Sequence, residues 1–346
     1  MKQQSLTQNA SAGNGSLDVF RMIAAFLVVA IHTSPLSSYS AEGDFFLTRI
    51  LARIAVPFFF LVTGQFVLSE YLSGRKKDFL PVGRYLKKIL FLYGICMLLY
   101  LPIGIYAGHY AQLTAGSLIR MILFDGNFYH LWYFPALLTG ILLVCVLRRF
   151  CSLKTCTLIS VFLYLLGLLG DSYWGMISGL PVLSAVYNFG FGIFSYTRNG
   201  IFFAPLFLVM GAQMKPCRQP ENRTKDLAGF LIAFLLMTGE GFFLRYLQWQ
   251  RHDSMYLMLP VCMFFFYRLL LSLNRKPVKV LRTVSAWIYI IHPAMIVVVR
   301  SVARILKLTE LLVDNSLLHY LAVSILSASF SFALVLFRNS VKKKRI

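Results

Sequence analysis

The sequence predicts an all-α integral membrane protein that crosses the bilayer about ten times and keeps both termini in the cytoplasm. Apolar residues make up 58% of the 346 residues and charged residues only 14%, against about 25% charged residues in an ordinary soluble domain. The apolar residues form long runs, whereas a β-barrel would show alternating segments of about ten residues. Basic residues are concentrated in every second connection between the runs. These three observations exclude a water-soluble fold.

The apolar runs define the predicted helices in order. A helix satisfies its own backbone hydrogen bonds, which makes it the natural spanning element for runs of this length. We place the spans at Leu17–Leu36, Arg49–Leu72, Lys88–Tyr106, His130–Leu147, Thr155–Gly170, Gly200–Met214, Leu227–Leu247, Met255–Leu273, Val284–Val302 and Leu318–Phe337. No connection is long enough to form a second domain.

The positive charges predict which side of the membrane each connection faces. Of the 34 Lys and Arg residues, 22 lie after even-numbered spans, at the margins of those connections or in the C-terminal tail: Arg75, Lys76, Lys77, Arg84, Lys87, Lys88, Arg148, Arg149, Lys154, Lys215, Arg218, Arg223, Lys225, Arg275, Lys276, Lys279, Arg282, Arg338, Lys342, Lys343, Lys344 and Arg345. Cytoplasmic connections retain Lys and Arg, so both termini are expected in the cytoplasm. Topology therefore explains the net charge of +21, and no nucleic-acid surface is expected.

The ends of the chain and the cysteines add little chemistry. Residues 1–16 are rich in Gln, Asn, Ser and Gly and are predicted to form a disordered tail rather than a signal peptide. Residues 339–346 are a basic tail. The six cysteines lack metal-ligand spacing, so we expect free thiols and no zinc. The sequence contains no Gly-rich phosphate loop, HExxH helix or GxSxG elbow, so a soluble ATPase, protease or dehydrogenase is not supported.

A polar stripe on the first span is the first candidate site. Each ionisable group inside a membrane costs at least about 2.5 kcal/mol. His32 follows Arg21 by eleven residues, which places it about 20° away around the helix and about 16 Å deeper, and Asp18 lies one turn before Arg21. An alternative is that Asp18 and Arg21 form an interfacial pair with Arg21 reaching the cytoplasm. His32 has no such route, and imidazole is a natural proton acceptor for an alcohol.

Other polar groups at membrane depth have functional and structural interpretations. Glu240 in the seventh span is either paired with Arg245, held protonated or part of a site. His292, which precedes a proline in the ninth span, is either a site residue or part of a structural kink. His130 and Trp132 begin the fourth span, where anchoring in an aromatic belt is the alternative.

A basic cluster marks the cytoplasmic end of the third span. Arg84, Lys87 and Lys88 lie within five residues of one another. Membrane topology alone explains such charges. The same side chains could hold the phosphates of a nucleotide-like donor, because Arg and Lys are the usual phosphate ligands.

These motifs together resemble the acyltransferase 3 family of membrane O-acyltransferases. The resemblance rests on Arg-x10-His in the first span, VPFFFLVTG after it, HLWYFPAL at 130–137, TRNGIFFAPLFL at 197–208 and SAWIYIIHP at 285–293. It runs from about Leu17 to Phe337 and implies an acyltransferase-3-like transmembrane domain over residues 17–338. Within the family, GDSYWGMI at 170–177, Glu240 and HDSMYLMLP at 252–260 are most similar to the membrane domain of VanT-type serine racemases from vancomycin-resistance clusters.

The resemblance implies transfer of an acyl group, usually acetyl, from cytoplasmic acyl-CoA to a hydroxyl reached from the outer side, without a metal. His32 would then be the catalytic base, with Asp18, Arg21 and Glu240 in the catalytic set. The acyl-CoA would be bound by Arg84, Lys87 and Lys88. The implied substrate-binding residues are His130, Trp132, Arg198, Asn199, His252, Asp253 and His292.

The sequence departs from the family pattern at several positions. Lys87 stands where Arg is usual and keeps the charge but loses bidentate geometry. Thr63-Gly64-Gln65 stands where many members have Ser-Gly-Phe. Many polysaccharide-modifying members carry an acidic residue after the Trp motif, in the area where this sequence has Pro135. That absence argues against a polysaccharide acceptor.

The resemblance leaves more than one function open. VanT-type proteins continue into a pyridoxal-phosphate racemase domain, whereas this sequence ends at Ile346. We therefore expect no racemisation, whether the sequence is a stand-alone relative or a separated membrane half. One function is acyl transfer to a small-molecule or cell-envelope hydroxyl, such as that of serine. The alternative is L-serine transport, although the internal repeat typical of many carriers is not visible. A third is a membrane anchor functionally linked to a serine/alanine racemase.

Overall fold

The structure is a computed structural model that describes residues 14–75, 78–214, 221–273 and 275–343, with all described secondary structure helical. The predicted tail up to residue 13, the last three residues of the basic tail and Cys217 lie outside the described residues. The predicted cytoplasmic cations Lys76, Lys77, Lys215, Arg218, Lys344 and Arg345 also lie outside them.

The helices follow one another with short connections. Their bounds are α1 Gly15–Thr33, α2 Ala41–Leu72, α3 Leu80–Tyr106, α4 Ala115–Arg120, α5 Tyr133–Phe150, α6 Leu153–Leu169, α7 Gly175–Ser178, α8 Pro181–Ile193, α9 Ala204–Gln213, α10 Glu221–Tyr246, α11 Leu259–Ser272, α12 Lys279–Ile305 and α13 Ser316–Lys343. Single π-helical turns at Met121–Asp125 and Glu310–Asp314 precede α5 and α13.

The helices confirm the prediction of a polytopic membrane protein. Within the described residues, seven helices are long and apolar enough to cross a membrane. Each predicted span coincides with one of these seven or with α6, α9 or α11, which are shorter apolar helices. The helices α9 and α11 rise only about 15 and 21 Å, less than the hydrocarbon thickness of about 30 Å. Several others extend beyond their predicted ends, because a helix does not stop where its apolar run stops.

One apolar helix, α8, is absent from the predicted spans. Its 13 residues are too few for a spanning run, and glycines at 190 and 192 weaken the helical pattern. Pro181 stands in its first turn, where a missing N–H costs nothing. Its side chains Val182 and Phe189 are 76% and 77% exposed, so this helix presents an apolar surface outward.

The described residues form two compact units. The first unit takes its residues from Met1–Ala55, Pro216–Gly229 and Phe265–Ile346, and the second from Val56–Lys215 and Phe230–Phe264. The first unit therefore contains α1, α12 and α13, and the second contains α3 to α9. The boundaries fall inside α2, α10 and α11.

The core of the first unit is the packing of α1 and α13 against α12. On α12 the positions 284, 288, 292 and 296 recur every four residues and form one buried stripe. His292 is the polar member of that stripe, and its ring is fully buried. The buried apolar residues of this core are Ala25, Val29, Val284, Ile288, Ile296, Val299, Val323 and Val335.

Local chemistry sets the start of α1. The Asn14 side chain accepts the N–H of Ser16 at 2.9 Å and so acts as the N-cap. Gly15 donates its N–H to the Arg275 carbonyl at 2.8 Å. A Cβ on Gly15 would collide with the Lys276 carbonyl, so only glycine fits this approach.

The end of α1 is set by two residues. Ser34 adopts φ 47°, a left-handed conformation that is common just after the last helical residue. Pro35 follows and cannot continue the helix. The helix therefore stops shortly after His32.

The second unit contains a close crossing of two helix backbones. A Cβ on Gly64 of α2 would lie 2.1 Å from the Leu208 carbonyl oxygen of α9. A Cβ on Gly211 of α9 would lie 2.1 Å from the Leu61 carbonyl oxygen of α2. Membrane helices associate by such small-residue contacts, because lipid provides no hydrophobic driving force between them. The two glycines therefore fix the distance between α2 and α9.

We expect Gly64→Ala and Gly211→Ala each to destabilise the protein by about 1–3 kcal/mol, because the added methyl must displace backbone. The measurement is the thermal unfolding midpoint in detergent. Gly94→Ala in α3 is the matched control, because a Cβ at that position would have no neighbouring atom within 4 Å. The control is expected to be neutral or slightly stabilising. Equal midpoints for all three variants would contradict the crossing.

Candidate functional site

A buried carboxylate ties α1 to α12 at the end of the first unit that is predicted to be cytoplasmic. Asp18 is fully buried and forms an ion pair with Arg21 one turn later, as predicted. Its two oxygens also accept hydrogen bonds from the Arg282 guanidinium, one from Nε at 3.1 Å and one from Nη2 at 3.3 Å. The Val278 N–H adds a fourth contact at 3.0 Å. We call Asp18, Arg21 and Arg282 the ionic node.

The sequence identifies two of the three members of the ionic node. The i,i+3 spacing indicates Asp18 and Arg21. From the sequence, Arg282 is only one of the basic residues that predict the cytoplasmic side. No local pattern links it to Asp18, which lies 264 positions away. Arg21 is 9% exposed, so it is held within the protein rather than extended into water. This burial contradicts an Arg21 that extends into water, whereas the interfacial position of the Asp18–Arg21 pair stays a prediction.

Two histidines face each other further along the same two helices. The rings of His32 on α1 and His292 on α12 are stacked, with centroids 5.4 Å apart and planes inclined by 23°. His292 is fully buried, whereas His32 is partly exposed. By helix rise, His32 lies about 16 Å beyond Arg21, and His292 lies about 15 Å beyond Arg282. The sequence predicts each histidine separately but not their contact.

The connection after α1 is fastened to the start of α13. Ser38 and Ser316 share a hydroxyl contact of 2.7 Å, and the Ser316 hydroxyl also donates to the Pro35 carbonyl at 2.9 Å. The Tyr39 hydroxyl donates to the Asn315 side chain at 2.9 Å. These contacts hold in one place the segment that immediately follows the histidine of α1.

The predicted acyl-CoA residues belong to the second unit. Arg84, Lys87 and Lys88 lie in the first turns of α3, and all three are exposed. Exposed cations grouped in this way suit an anionic partner, either lipid head groups or the phosphates of a donor.

An aromatic stack in the second unit joins three other predicted residues. The Arg198 guanidinium lies over the ring of Trp132 at 4.8 Å and over the ring of Tyr196 at 4.4 Å. The Tyr196 ring also lies against the ring of His252, at 4.5 Å between centroids. The sequence does not single out Tyr196. Cation–π contact leaves no mark in sequence spacing, so the fold alone brings these side chains together.

His130 is buried among aromatic rings. Its ring is 1% exposed and packs edge-on against Tyr100 at 4.8 Å and Phe128 at 5.9 Å. The histidine therefore lies within the protein, and the alternative of a lipid-facing belt is wrong for this residue.

Asn199 forms a turn before α9. Its side-chain oxygen accepts the N–H groups of residues 201 and 202 at 2.8 and 3.1 Å. Its side-chain amide donates to the Tyr196 carbonyl at 2.9 Å. These contacts account for Asn199 without a ligand, and its substrate-binding role stays a prediction.

A second buried carboxylate, Asp171, organises the loop that contains the predicted residues His252 and Asp253. One Asp171 side-chain oxygen accepts the N–H groups of residues 254 and 255 at 2.7 and 2.9 Å. Its backbone oxygen accepts the N–H of Arg251 at 3.0 Å. From the sequence, Asp171 is one of several acidic residues in the outer connections. A signal that could have identified it is its position directly after a glycine at a helix end.

Arg251 is a further residue that the sequence does not single out. Its guanidinium lies 3.5 Å from the ring centroid of Phe191 and donates to the Ser195 carbonyl at 3.0 Å. Burial lowers the pKa of Arg251, and the nearby Asp171 carboxylate opposes that shift.

Glu240 supports the start of α11. One carboxylate oxygen accepts the Tyr173 hydroxyl at 2.9 Å and the Leu257 N–H at 2.5 Å, and the other accepts the Met258 N–H at 3.0 Å. Helix starts leave N–H groups unsatisfied, and a carboxylate is a good acceptor for them. Burial, together with Glu240, raises the pKa of Tyr173, so its hydroxyl remains a donor. These contacts explain the carboxylate, and the catalytic role of Glu240 stays a prediction.

The structure thus groups the predicted residues by unit. Asp18, Arg21, His32 and His292 belong to the first unit, where the ionic node and the histidine pair share α1 and α12. The remaining predicted residues belong to the second unit: Arg84, Lys87, Lys88, His130, Trp132, Arg198, Asn199, Glu240, His252 and Asp253.

Comparison with known proteins decides the family. A family model described as an acyltransferase domain matches residues 14–336, nearly the whole chain. The chain belongs to the acyltransferase 3 family. No solved structure matches this acyltransferase 3 protein significantly.

Curated relatives of this acyltransferase 3 protein are bacterial racemases. An amino-acid racemase of Enterococcus faecalis is 38% identical over 343 residues, which are 98% of this chain and 47% of that protein. A serine/alanine racemase of Enterococcus gallinarum is 37% identical over 320 residues, 92% of this chain and 45% of that protein. The chain spans about half the length of the curated relatives it matches.

We expect Asp18→Asn to destabilise this acyltransferase 3 protein, because two cations lose their shared anion. Removing one partner of a buried ion pair costs about 3–5 kcal/mol. The Arg282 side chain is 45% exposed and can reach water, so we expect the loss in the free energy of unfolding to lie at the lower end of this range. The measurement is thermal unfolding in detergent, with Glu310→Gln as the control at an exposed carboxylate. An unchanged midpoint for Asp18→Asn would show that the ionic node is dispensable.

Proposed function

We propose that this protein is a membrane O-acyltransferase that moves an acyl group from cytoplasmic acyl-CoA to a hydroxyl at or across the membrane, with acetyl as the expected group. The observation that carries the proposal is the His32–His292 pair, held on two helices that the ionic node clamps together. Membership of the acyltransferase 3 family supports the reaction class.

The proposed reaction uses His32 as general base. Its imidazole takes the proton of the acceptor hydroxyl as the oxygen attacks the thioester carbonyl. The C–O ester bond forms, the C–S bond breaks, and the imidazolium returns the proton to the departing CoA sulfur. Each atom is then accounted for, and His32 is neutral again. A partly exposed ring suits this role, because both reactants must reach it.

The exposed cations of α3 are the proposed binding residues for the donor. CoA carries phosphates, and Arg84, Lys87 and Lys88 offer three positive charges within the first turns of one helix. Lys87 supplies charge without the bidentate geometry of an arginine. The donor would therefore be held mainly by electrostatic attraction at this position.

We expect His32→Gln to lower kcat for acyl transfer by about 10²–10⁴-fold, the usual contribution of a general base. The measurement is ester formation from acetyl-CoA and a panel of small hydroxyl compounds, followed by mass spectrometry with protein in lipid nanodiscs. His109→Gln is the matched control, because His109 is exposed and lies in the second unit. Equal turnover in His32→Gln and the wild type would exclude His32 as the base.

The donor site has its own prediction. Replacing Lys87 by Gln removes one of the charges proposed to bind the CoA phosphates, so KM for acetyl-CoA is expected to rise about tenfold with little change in kcat. Lys154→Gln is the control, because Lys154 is also an exposed cation in the N-terminal part of a helix of the second unit. A KM that moves equally in both variants would reflect general surface charge.

Transport of an amino acid is the second candidate function. It is favoured by one observation, the alignment of nearly the whole chain with proteins named amino-acid and serine/alanine racemases. A carrier would move L-serine into proteoliposomes without acyl-CoA. Uptake above that of empty vesicles, insensitive to His32→Gln, would favour the carrier over the acyltransferase. Absence of both activities would leave membrane anchoring of a racemase as the remaining function.

A further inference from the structure

Pro293 leaves one carbonyl of α12 without its usual hydrogen-bond donor. In an α-helix the carbonyl of residue 289 accepts the N–H of residue 293, and proline has none. The His292 Nδ1 atom lies 2.9 Å from the Tyr289 carbonyl oxygen and 3.2 Å from the Ile288 carbonyl oxygen. The imidazole therefore takes the place of the missing backbone donor.

These two contacts determine the tautomer of His292. A carbonyl oxygen only accepts hydrogen bonds, so Nδ1 must carry the proton. A neutral imidazole protonated at Nδ1 has its lone pair on Nε2. The ring is fully buried, and burial disfavours the charged imidazolium. We therefore expect a neutral His292 ring held in one orientation.

We propose that His292 is a positioning residue of the acyl-transfer site, and that the His292–Pro293 pair locks its ring so that its face supports the ring of His32. The inference rests on the proposed function of His32 as base. The rings are 5.4 Å apart and inclined by 23°, which is a stacked arrangement. A fixed ring on one side restricts the rotation of His32. Without that support, rotation of the ring about χ2 would exchange the positions of the two nitrogens of His32.

The neutrality of His292 has a second consequence for His32. When His32 takes the acceptor proton it becomes a cation in contact with the neighbouring ring. A second cation at this distance would oppose protonation of His32. Because His292 donates Nδ1–H to backbone carbonyls, its place in the helix does not require a charge.

The lock can be tested without any catalytic activity. Protein labelled with ¹⁵N in the histidine rings, in lipid bilayers, would be measured by solid-state NMR, which separates protonated from unprotonated ring nitrogens. The signals of His292 are identified by their loss in His292→Phe. His319 is an internal reference, because its Nδ1 lies 2.9 Å from the Leu312 carbonyl and no proline follows it. We expect both rings to be neutral and protonated at Nδ1.

Pro293→Ala restores a backbone N–H for the Tyr289 carbonyl. We expect the share of His292 in the Nδ1–H form to fall in this variant, with the His319 signals unchanged. Pro102→Ala in α3 removes another proline from a helix interior and should change neither histidine. A wild-type His292 that is protonated at Nε2 or doubly protonated would overturn the lock. An unchanged His292 in Pro293→Ala would overturn the part assigned to the proline.

Kinetics test whether the locked ring acts on His32. His292→Ala removes the stacking face, and we expect kcat to fall about 10²-fold, as for a misplacement of about 1 Å, with KM for acetyl-CoA unchanged. His292→Phe restores a ring without nitrogens and should recover about tenfold of that loss, with the wild-type dependence of kcat on pH. Equal loss in both variants with an altered pH dependence would overturn a positioning role and make His292 a proton carrier. An unchanged kcat in His292→Ala would show that His292 serves only the local helix structure at Pro293.

Failure of the proposed function and failure of the positioning role give different results. If the wild-type protein forms no ester, the proposed function fails, and the NMR experiment still decides the tautomer of His292. If ester forms and depends on His32 but not on His292, the proposed function stands and the positioning role is rejected.

Discussion

The requirement that a buried charge has a partner shapes the first unit. Asp18 cannot remain in an apolar helix by itself, so Arg21 and Arg282 bind it, and α1 is thereby joined to α12. The contact of His32 with His292 joins the same two helices again, further along. Between these levels the packing is apolar. The candidate chemistry depends on this double connection, because it fixes both rings relative to one backbone frame.

Two carboxylates of the second unit bind backbone groups. Asp171 and Glu240 each accept two backbone N–H groups, from the segments that lead into α11. Glu240 binds the N–H groups just before the start of α11, and Asp171 binds N–H groups of the loop that leads to it. Their contacts are with the backbone, whereas Asp18 binds side-chain cations. The same type of chemical group therefore serves loop geometry in one unit and helix pairing in the other.

The close crossing of α2 and α9 shows a further constraint of the membrane. Two helices at an apolar interface in lipid gain stability mainly by close packing. Gly64 and Gly211 allow that approach, each against a carbonyl of the opposite helix. Thr63-Gly64-Gln65 departs from the family pattern, yet its glycine is the residue that the crossing needs. The physical requirement of the crossing falls on Gly64.

The amino-acid sequence by itself determined the class of the protein, its apolar helices, and the pairing of Asp18 with Arg21. Those features depend on composition, on runs of apolar residues and on spacing within one helix, which are all local. The sequence also identified His32 and His292, among other candidates, as residues that need an explanation. Only the tertiary structure decided that Arg282 completes the ionic node, that the two histidine rings stack, and that Arg198 lies over two aromatic rings. Those contacts join residues far apart in the chain, and helix packing rather than any periodic pattern brings them together.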